Sequence, residues 1–376
     1  MMEMKKIVWL WSALMLTACG TRVEVSNPLD MARDNETVEV PWTDVQERLP
    51  KATPENIVVL SPDGEQQPSQ VLYNGGTEPQ VLIFQATVAG NASKTYRLRV
   101  GEREDYPSLV YGRAVPERMD DFAWENNLMA YRVYGPALEA TGEISNGIDI
   151  WLKRTDSLII NKWYSGGYNY HIDSGEGLDC YKVGRTLGAG AMAPYEGRKL
   201  WLGNNYVSCR VLDCGPIRVS FELDYAPFAV DSVMVRERRM ITLDAHARFN
   251  RITELYTGDF ERMPVAAGVV LRGPGGRVLD ILNKPITMVG YWEPLNTDNG
   301  TDNGHTTIGL VFPCEIKVET RLGHLLASTT VEEGVPFTYL MGAGWSRADV
   351  PTGEVMSQLI FDQSLKSAHP LQVRVK

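Results

Sequence analysis

The sequence predicts an all-β protein, with a small N-terminal β domain followed by a large antiparallel β-sandwich. Runs rich in β-branched and aromatic residues recur along most of the chain, and turns rich in Gly, Pro, Asn and Asp separate them. Helical periodicity is credible only over 355–365. Many strands with scarcely a helix favour stacked antiparallel sheets. The 376 residues are enough for two domains and a sizeable core.

The first 19 residues resemble a bacterial lipoprotein signal. Lys5 and Lys6 precede an apolar run over 7–16, which ends in the letters LTAC with the cysteine at Cys19. The run is too short to span a bilayer. The pattern predicts a signal peptide over 1–18, lipidation of the Cys19 thiol, and a protein anchored through that lipid in the bacterial cell envelope, in the periplasm or at the outer membrane.

Composition divides the rest of the chain into three parts. Residues 19–37 are polar without periodicity, which predicts a lipidated tether. Residues 38–105 hold β-rich runs between glycine-rich turns, which predicts an N-terminal β domain with a packing or positioning role. Residues 106–376 hold the remaining strand patterns, among them 157–164 and 217–225, and predict the sandwich domain, in which all the candidate catalytic residues described below lie.

Charge and cysteine spacing exclude several classes of partner. The formal net charge is −10, which argues against nucleic acid, and no protein partner is predicted. An anionic substrate stays compatible, since it needs only a local arginine cluster. Cys180, Cys209, Cys214 and Cys314 form no CxxC pair, so neither a metal site nor a cofactor is predicted. Whether Cys209 and Cys214 bridge in an oxidising periplasm stays open.

Candidate functional residues are concentrated at 168–190, which reads YNYHIDSGEGLDCYKVGRTLGAG. Its glycine density disfavours a helix and a long strand. It therefore predicts an irregular surface of the kind that often carries function, presenting His171, Asp173, Asp179, Tyr181 and Lys182. The alternative is a set of glycine turns around a structural histidine.

A second candidate segment at 116–136 combines aromatic, amide and charged side chains: Trp124, Glu125, Asn126 and Arg132. Proteins hold sugars with this combination, because rings stack on the apolar sugar face and polar groups bind the hydroxyls. The alternative is a structural loop buried at a domain junction, since Trp and Asn also occur in interiors.

One strand pattern places an arginine on a defined face. In IRVSFELDY at 217–225, apolar residues alternate with polar ones, so Arg218 and Glu222 share the polar face. That face is either a sugar-binding cleft or an ordinary solvated surface, and the second is commoner.

Several motifs together resemble a known family: DDFAWENN, YRVYGP, GIDIWLKR, KWY, the segment 168–190 and CGPIRVSFELDY. They resemble a lipoprotein family of polysaccharide-degrading gut and marine bacteria, labelled as a domain of unknown function, whose members occur in loci for uronic-acid-containing glycans. A marine relative acts as an oligosaccharide dehydratase in ulvan breakdown and removes water from a non-reducing-end glucuronate. The resemblance runs from about residue 38 to the C-terminus and implies a mutarotase-like β-supersandwich.

The resemblance implies an elimination of water across C4 and C5 of a terminal uronic acid, giving an unsaturated uronide. This chemistry needs an arginine to offset the carboxylate charge, a base for the C5 proton and a proton donor for the hydroxide. Arg218 is the first candidate for the arginine and Arg132 the second. His171 is the candidate base, and Tyr181 or Tyr170 the candidate acid.

Further residues would contact the substrate, a uronic-acid-containing oligosaccharide. The candidates that grip hydroxyls or stack on the ring are Trp124, Glu125 and Asn126, with Lys182 as a further binding residue. Asp173 or Asp179 would orient His171.

Two alternatives to a dehydratase stay open. A polysaccharide lyase that cleaves at a uronate would use the same residues and would shorten the chain. A non-catalytic surface glycan-binding lipoprotein would need exposed aromatic residues but no pairing of histidine with arginine.

Overall fold

The computed structural model describes residues 20–279, 285–296 and 300–376. The predicted signal peptide and the lipidation site at Cys19 lie outside the described residues, so the anchor stays a prediction. Among the residues described, none of the helices combines the length and the apolar character needed to cross a membrane.

Antiparallel strands dominate these residues, and the all-β prediction is confirmed. The first strands are β1 (Thr21–Ser26), β2 (Arg33–Pro41), β3 (Ile57–Leu60), β4 (Gln66–Gln67), β5 (Ser69–Leu72), β6 (Val81–Val88), β7 (Ser93–Val100), β8 (Val110–Val115), β9 (Asp121–Asn126), β10 (Ala130–Val133), β11 (Asp149–Lys153), β12 (Gly177–Leu178), β13 (Ala189–Glu196) and β14 (Lys199–Leu200). The later strands are β15 (Tyr206–Cys214), β16 (Arg218–Tyr225), β17 (Phe228–Val230), β18 (Val233–Asp244), β19 (Phe249–Gly258), β20 (Arg262–Val270), β21 (Arg277–Val278), β22 (Met288–Asn296), β23 (Asp302–Val311), β24 (Lys317–Arg321), β25 (His324–Glu332), β26 (Phe337–Trp345) and β27 (Gln372–Val375). The α-helices are α1 (Trp42–Arg48), α2 (Pro136–Glu139), α3 (Ile160–Tyr164) and α4 (Gly353–Ala368).

The N-terminal part contains two small sheets, ordered β27-β1-β7-β3-β4 and β2-β6-β5. The prediction of a tether over 19–37 is wrong for the described residues, because 21–26 form β1 between β7 and the C-terminal strand β27. Val23 and Val25 are fully buried there and alternate with polar residues, a period-two pattern only six residues long. The boundary predicted at 105–106 stays a prediction.

Three sheets pack around the main core. The largest runs β15-β16-β18-β19-β26-β23-β22-β21, with β17 beside β18. The other two run β14-β13-β20-β25-β24 and β12-β11-β10-β9-β8, and one continuous apolar cluster joins all three. Helix α4 covers the outer face of the largest sheet, where Met356 and Ile360 pack against Met288 and Val311. It confirms the helix predicted over 355–365.

Helix α3 replaces the strand predicted over 157–164. The carboxylate of Glu125, on β9, accepts hydrogen bonds from the backbone N–H groups of Ile159 (2.9 Å) and Ile160 (2.8 Å). Backbone N–H groups at the start of a helix lack partners within it, so this carboxylate stabilises the turn from outside. The local sequence could not show this, since the capping residue lies 34 positions away.

A buried ion cluster lies within the sandwich core. Arg239 donates to Glu237 (2.8 Å) and Glu254 (2.7 Å), and all three side chains are fully buried. One guanidinium faces two carboxylates, and burial raises the pKa of Glu237 from 4.5 to about 8 and raises the pKa of Glu254 as well. The folded protein therefore holds a proton here that the unfolded chain releases at neutral pH.

Because the folded state binds this proton, we expect the free energy of unfolding to fall as pH rises. Because the folded-state pKa of Glu237 is raised, the stabilisation is complete below about 4.5, the unfolded value, and is lost as pH rises through about 8. We expect Glu237→Gln, which mimics the neutral form, to reduce this pH-dependent loss of unfolding free energy by roughly 1–3 kcal/mol. Urea unfolding from about pH 5 to about pH 9 measures it, with the exposed Glu261→Gln as control. Superimposable pH profiles for parent and Glu237→Gln would contradict this assignment.

Candidate functional site

The candidate site is built around Arg132 on β10, whose side chain is 5% exposed. Its Nη2 lies 2.5 Å from Asp149 Oδ2 and 2.9 Å from Asp179 Oδ2. Its Nε lies 3.9 Å from Asp121 Oδ2. Strand pairing explains this assembly, because Arg132 stands opposite Asp149 of β11 and Asp121 begins the neighbouring β9.

Aromatic rings connect Arg132 to the predicted base. The guanidinium carbon lies 5.3 Å from the Trp151 ring centroid, and Tyr170 stacks on Trp151 at 5.4 Å. The Tyr170 ring lies 4.4 Å from His171, and His171 Nδ1 lies 3.0 Å from the carbonyl oxygen of Asp179. Arg132, Trp151, Tyr170, His171 and Asp179 therefore form a closed circuit of contacts, named here the Arg132 cluster.

The geometry of His171 suits a general base. A carbonyl oxygen can only accept, so Nδ1 carries the proton and Nε2 carries the lone pair. The side chain is 61% exposed, which opens it to a ligand from solvent. The Asp179 carboxylate, with Oδ2 3.7 Å from Nδ1, lies close enough to stabilise the imidazolium that forms when Nε2 takes a proton.

Several buried polar atoms of this site have no hydrogen-bond partner among the described residues. They include Arg132 Nε and Nη1 and Asp149 Oδ1. Buried donors and acceptors without partners are rare in folded proteins, because each costs about 1–3 kcal/mol. Asp121 Oδ2 lies 3.9 Å from Nε, and the hydroxyl groups of Tyr134 and Tyr164 also interact with Arg132, so a polar ligand that reached the guanidinium would compete with these neighbours.

Burial also shifts the proton affinity of the acidic residues. It raises the pKa of Asp149 to about 7, with a further contribution from the charge of Asp179, and raises the pKa of Asp121 to about 6. Arg132 opposes both shifts. Proton uptake by these carboxyl groups near neutral pH leaves the guanidinium charge less fully compensated, which favours an anionic ligand.

Asp173 shapes the loop that carries His171. Its Oδ1 accepts from the backbone N–H groups of Gly175 (2.9 Å) and Gly177 (3.2 Å), and its Oδ2 pairs with Arg154 at 2.7 Å. Of the two aspartates predicted to orient His171, Asp179 contacts the ring, and the described contacts of Asp173 lie within the loop and with Arg154.

The structure does not favour the substrate contacts predicted for Trp124, Glu125 and Asn126, because all three side chains are fully buried on β9 and bind groups of the protein. Trp124 Nε1 donates to Asn250 at 2.8 Å, and Glu125 pairs with Lys153 at 2.8 Å. The Asn126 amide nitrogen donates to two backbone carbonyl groups. The structural alternative holds here: these groups fix the sheet that presents Arg132.

Tyr181 is also placed away from the surface. It is 3% exposed, and the guanidinium carbon of Arg272 lies 3.6 Å from its ring centroid. Burial raises the pKa of its hydroxyl far above the ordinary value. A role as proton donor is therefore disfavoured for Tyr181, whereas Tyr170 is partly exposed beside His171. Lys182 is exposed on the segment that follows.

Arg218 does not belong to the Arg132 cluster, and its contacts do not favour its assignment as first-choice carboxylate clamp. Its Nε and Nη2 donate to the two oxygens of Asp244 at 2.6 and 2.8 Å, and its Nη1 donates to Glu39 at 2.7 Å. Both sides of the guanidinium are therefore occupied by carboxylates of the protein. Because Glu39 lies on β2, the contact joins the N-terminal sheets to the largest sheet.

We expect Arg218→Met to lower the free energy of unfolding by about 3 kcal/mol, because it leaves the mostly buried Asp244 without its cation. Arg238→Met is the matched control, since Arg238 pairs with Asp224 on the same sheet with both side chains about half exposed, and such pairs contribute at most about 1 kcal/mol. Urea unfolding compares them. Equal, small losses in both variants would contradict the joining role of Arg218.

The remaining expectations concern cysteines and metals. Cys209 and Cys214 lie on one strand, β15, five residues apart, which is roughly 16 Å in extended chain and too far for a disulfide. In the part of the chain that the structure describes, no group of three or more His, Cys, Asp or Glu is placed to hold a metal ion.

Sequence reasoning missed Asp149 and Trp151 as members of the site. Both lie in the motif GIDIWLKR, whose role was left unassigned. The available signal was an aspartate inside an apolar strand, because a buried carboxylate requires a partner and so points to a cation nearby.

Comparison with known proteins places the chain in a family. Residues 25–373 match the family described as "Domain of unknown function (DUF4861)". The chain belongs to this family. It is 29% identical to "Uncharacterized protein P7" of Formosa agariphila, over 99% of this chain and 100% of that protein.

Two solved structures share the fold. A protein in glycosyl hydrolase family 38 from Enterococcus faecalis matches with a TM-score of 0.55 and 10% identity, over 95% of this chain and 47% of that one. An α-mannosidase from Enterococcus faecalis V583 matches with a TM-score of 0.51 and 9% identity, over 95% and 46%. The chain spans about half the length of either. At these identities the likeness shows the fold alone, a β-supersandwich region of a carbohydrate-active enzyme.

Proposed function

We propose that this DUF4861 protein is a carbon–oxygen lyase that removes water across C4 and C5 of a non-reducing-end uronic acid in an oligosaccharide. The observation that carries the proposal is the Arg132 cluster, in which an exposed histidine lies in one circuit of contacts with a buried guanidinium, two of whose nitrogens make no hydrogen bond with the described residues. The motifs that resemble uronate-processing lipoproteins support the substrate class.

Arg132 is the residue to bind the uronate carboxylate. Its Nε and Nη1 make no hydrogen bond of normal geometry with the described residues, although Asp121, Tyr134 and Tyr164 lie nearby, and a guanidinium fork matches a carboxylate. Loss of the C5 proton builds negative charge on that carboxylate, so the cation stabilises the transition state more than the substrate. The raised pKa of Asp149 assists, since a neutral carboxyl group competes less for Arg132.

His171 and Tyr170 divide the proton transfers. Nε2 of His171 takes the C5 proton, the electron pair of that bond forms the C4=C5 double bond, and the C4–O bond breaks. The departing hydroxide takes a proton from the Tyr170 hydroxyl and leaves as water. The imidazolium then returns its proton to the tyrosinate through solvent, which restores both groups.

Product analysis tests the reaction class. Incubation of the protein with glucuronate-ended oligosaccharides should give a product lighter by one water, of unchanged chain length, with a conjugated double bond that absorbs in the ultraviolet. Mass spectrometry and absorbance measure both features. Shortened unsaturated chains would indicate a polysaccharide lyase instead, and binding without any product would indicate a glycan-binding protein.

Substitution of the base tests its role. General acid–base groups contribute about 100- to 10,000-fold, so His171→Ala should lose at least about 100-fold in kcat. Binding of the same oligosaccharide should suffer less, because proton transfer occurs only in the transition state. His369→Ala, at an exposed histidine that ends α4, is the control. A folded His171→Ala protein with parental kcat would remove His171 from the mechanism.

A further inference from the structure

An exposed apolar surface adjoins the candidate base. Ile172, next to His171, is 62% exposed, the highest value of any large hydrophobic side chain in the described ranges. Its loop is held by the hydrogen bonds and the ion pair of Asp173, so ordered backbone presents the side chain. Single exposed apolar residues are common on protein surfaces, and this one becomes informative through its neighbours.

Two tyrosines lie close to Ile172 in the same loop and stack on a buried support. Trp163 of α3 is 1% exposed, and the ring of Tyr168 lies 6.1 Å from it at an interplanar angle of 15°. Tyr170 lies 6.3 Å from Trp163 at 4°. The three rings are therefore nearly parallel, and both tyrosines are partly exposed.

We propose that Tyr168, Tyr170 and Ile172, named here the tyrosine patch, form a subsite for the sugar attached to the terminal uronate. The inference rests on the proposed function and adds the position of the second sugar. A pyranose ring has an apolar face of C–H groups, which stacks on an aromatic face or packs on an aliphatic side chain. The Arg132 cluster takes the uronate, and Tyr170 belongs to both groups of residues, so the two subsites adjoin.

The size and surroundings of the patch favour a sugar as its occupant. Three side chains on one loop are too few for a stable protein interface, which buries about 800 Å² on each partner. A polar pair adjoins the rings: Lys162 Nζ lies over the Tyr168 ring, 5.5 Å from its centroid, and pairs with Glu176 Oε2 at 2.7 Å. Apolar rings bordered by polar groups that reach hydroxyls are typical of sugar subsites.

The test compares two probes, methyl glucuronide and a glucuronate-ended disaccharide. Their affinities are measured by calorimetry in the His171→Ala background, so that turnover does not consume them. Aromatic stacking contributes about 0.5–1.5 kcal/mol, so Tyr168→Ala should reduce the affinity ratio of disaccharide to methyl glucuronide about threefold to tenfold. Ile172→Ser should reduce the same ratio, and Tyr168→Phe should restore it because the ring is kept.

Met234→Ser is the matched control for Ile172→Ser, since Met234 is 58% exposed on β18. It should leave the ratio at its parental value. Parental ratios in both Tyr168→Ala and Ile172→Ser would overturn the subsite and leave the proposed function standing. Failure of the His171→Ala protein to bind either probe would overturn both. Equal losses in Ile172→Ser and Met234→Ser would overturn the subsite, because a general surface effect would then explain them.

Discussion

The burial of Arg132 is the constraint on which the candidate site depends. A guanidinium taken out of water needs compensating charge, and Asp149 and Asp179 supply it at hydrogen-bond distance. Burial in turn raises the pKa of Asp149. The cluster therefore contains a cation whose compensation varies with pH. A substrate anion is a natural addition to such a group, because it supplies charge that proton uptake by aspartate removes.

A series of buried polar contacts connects the strands around this cluster to the N-terminal sheets. Glu39 on β2 holds Arg218, and Arg218 holds Asp244. The Asp244 carbonyl oxygen accepts from Asn126 at 2.8 Å, and the Asn126 carbonyl oxygen accepts from Lys153 at 2.7 Å. These contacts join the N-terminal sheets to the strands that flank Arg132.

The last contacts of this series reach helix α3, on which the aromatic rings of the loop pack. Lys153 pairs with Glu125, which stabilises the start of α3 through Ile159 and Ile160. Helix α3 carries Trp163, on which the tyrosines stack. The N-terminal part therefore contributes to the site through packing, although none of its residues belongs to the Arg132 cluster.

Local composition predicts the exposure of the candidate base, whereas contacts between residues distant in sequence could not be predicted. Glycine density marked 168–190 as irregular surface, and His171 is indeed exposed there, because this property depends only on local composition. The partners of Trp124 and Arg218 could not be predicted because they are distant in sequence. Asn250 binds Trp124, and Glu39 and Asp244 bind Arg218. A polar residue on a strand gives the same sequence pattern whether its side chain contacts a ligand or another part of the protein.

The distribution of rigid and adaptable parts follows from the same contacts. Arg132 and Asp149 lie on paired strands, where the ladder fixes their separation, so a carboxylate bound there would have a defined position. His171, Ile172 and the tyrosines lie on a loop whose turns depend on glycines such as Gly177, at φ of 125°, where an added Cβ would lie 1.8 Å from the carbonyl oxygen of Leu152. In the function proposed above, charge recognition is thus placed on the rigid sheet, and proton transfer and contact with the second sugar on the loop.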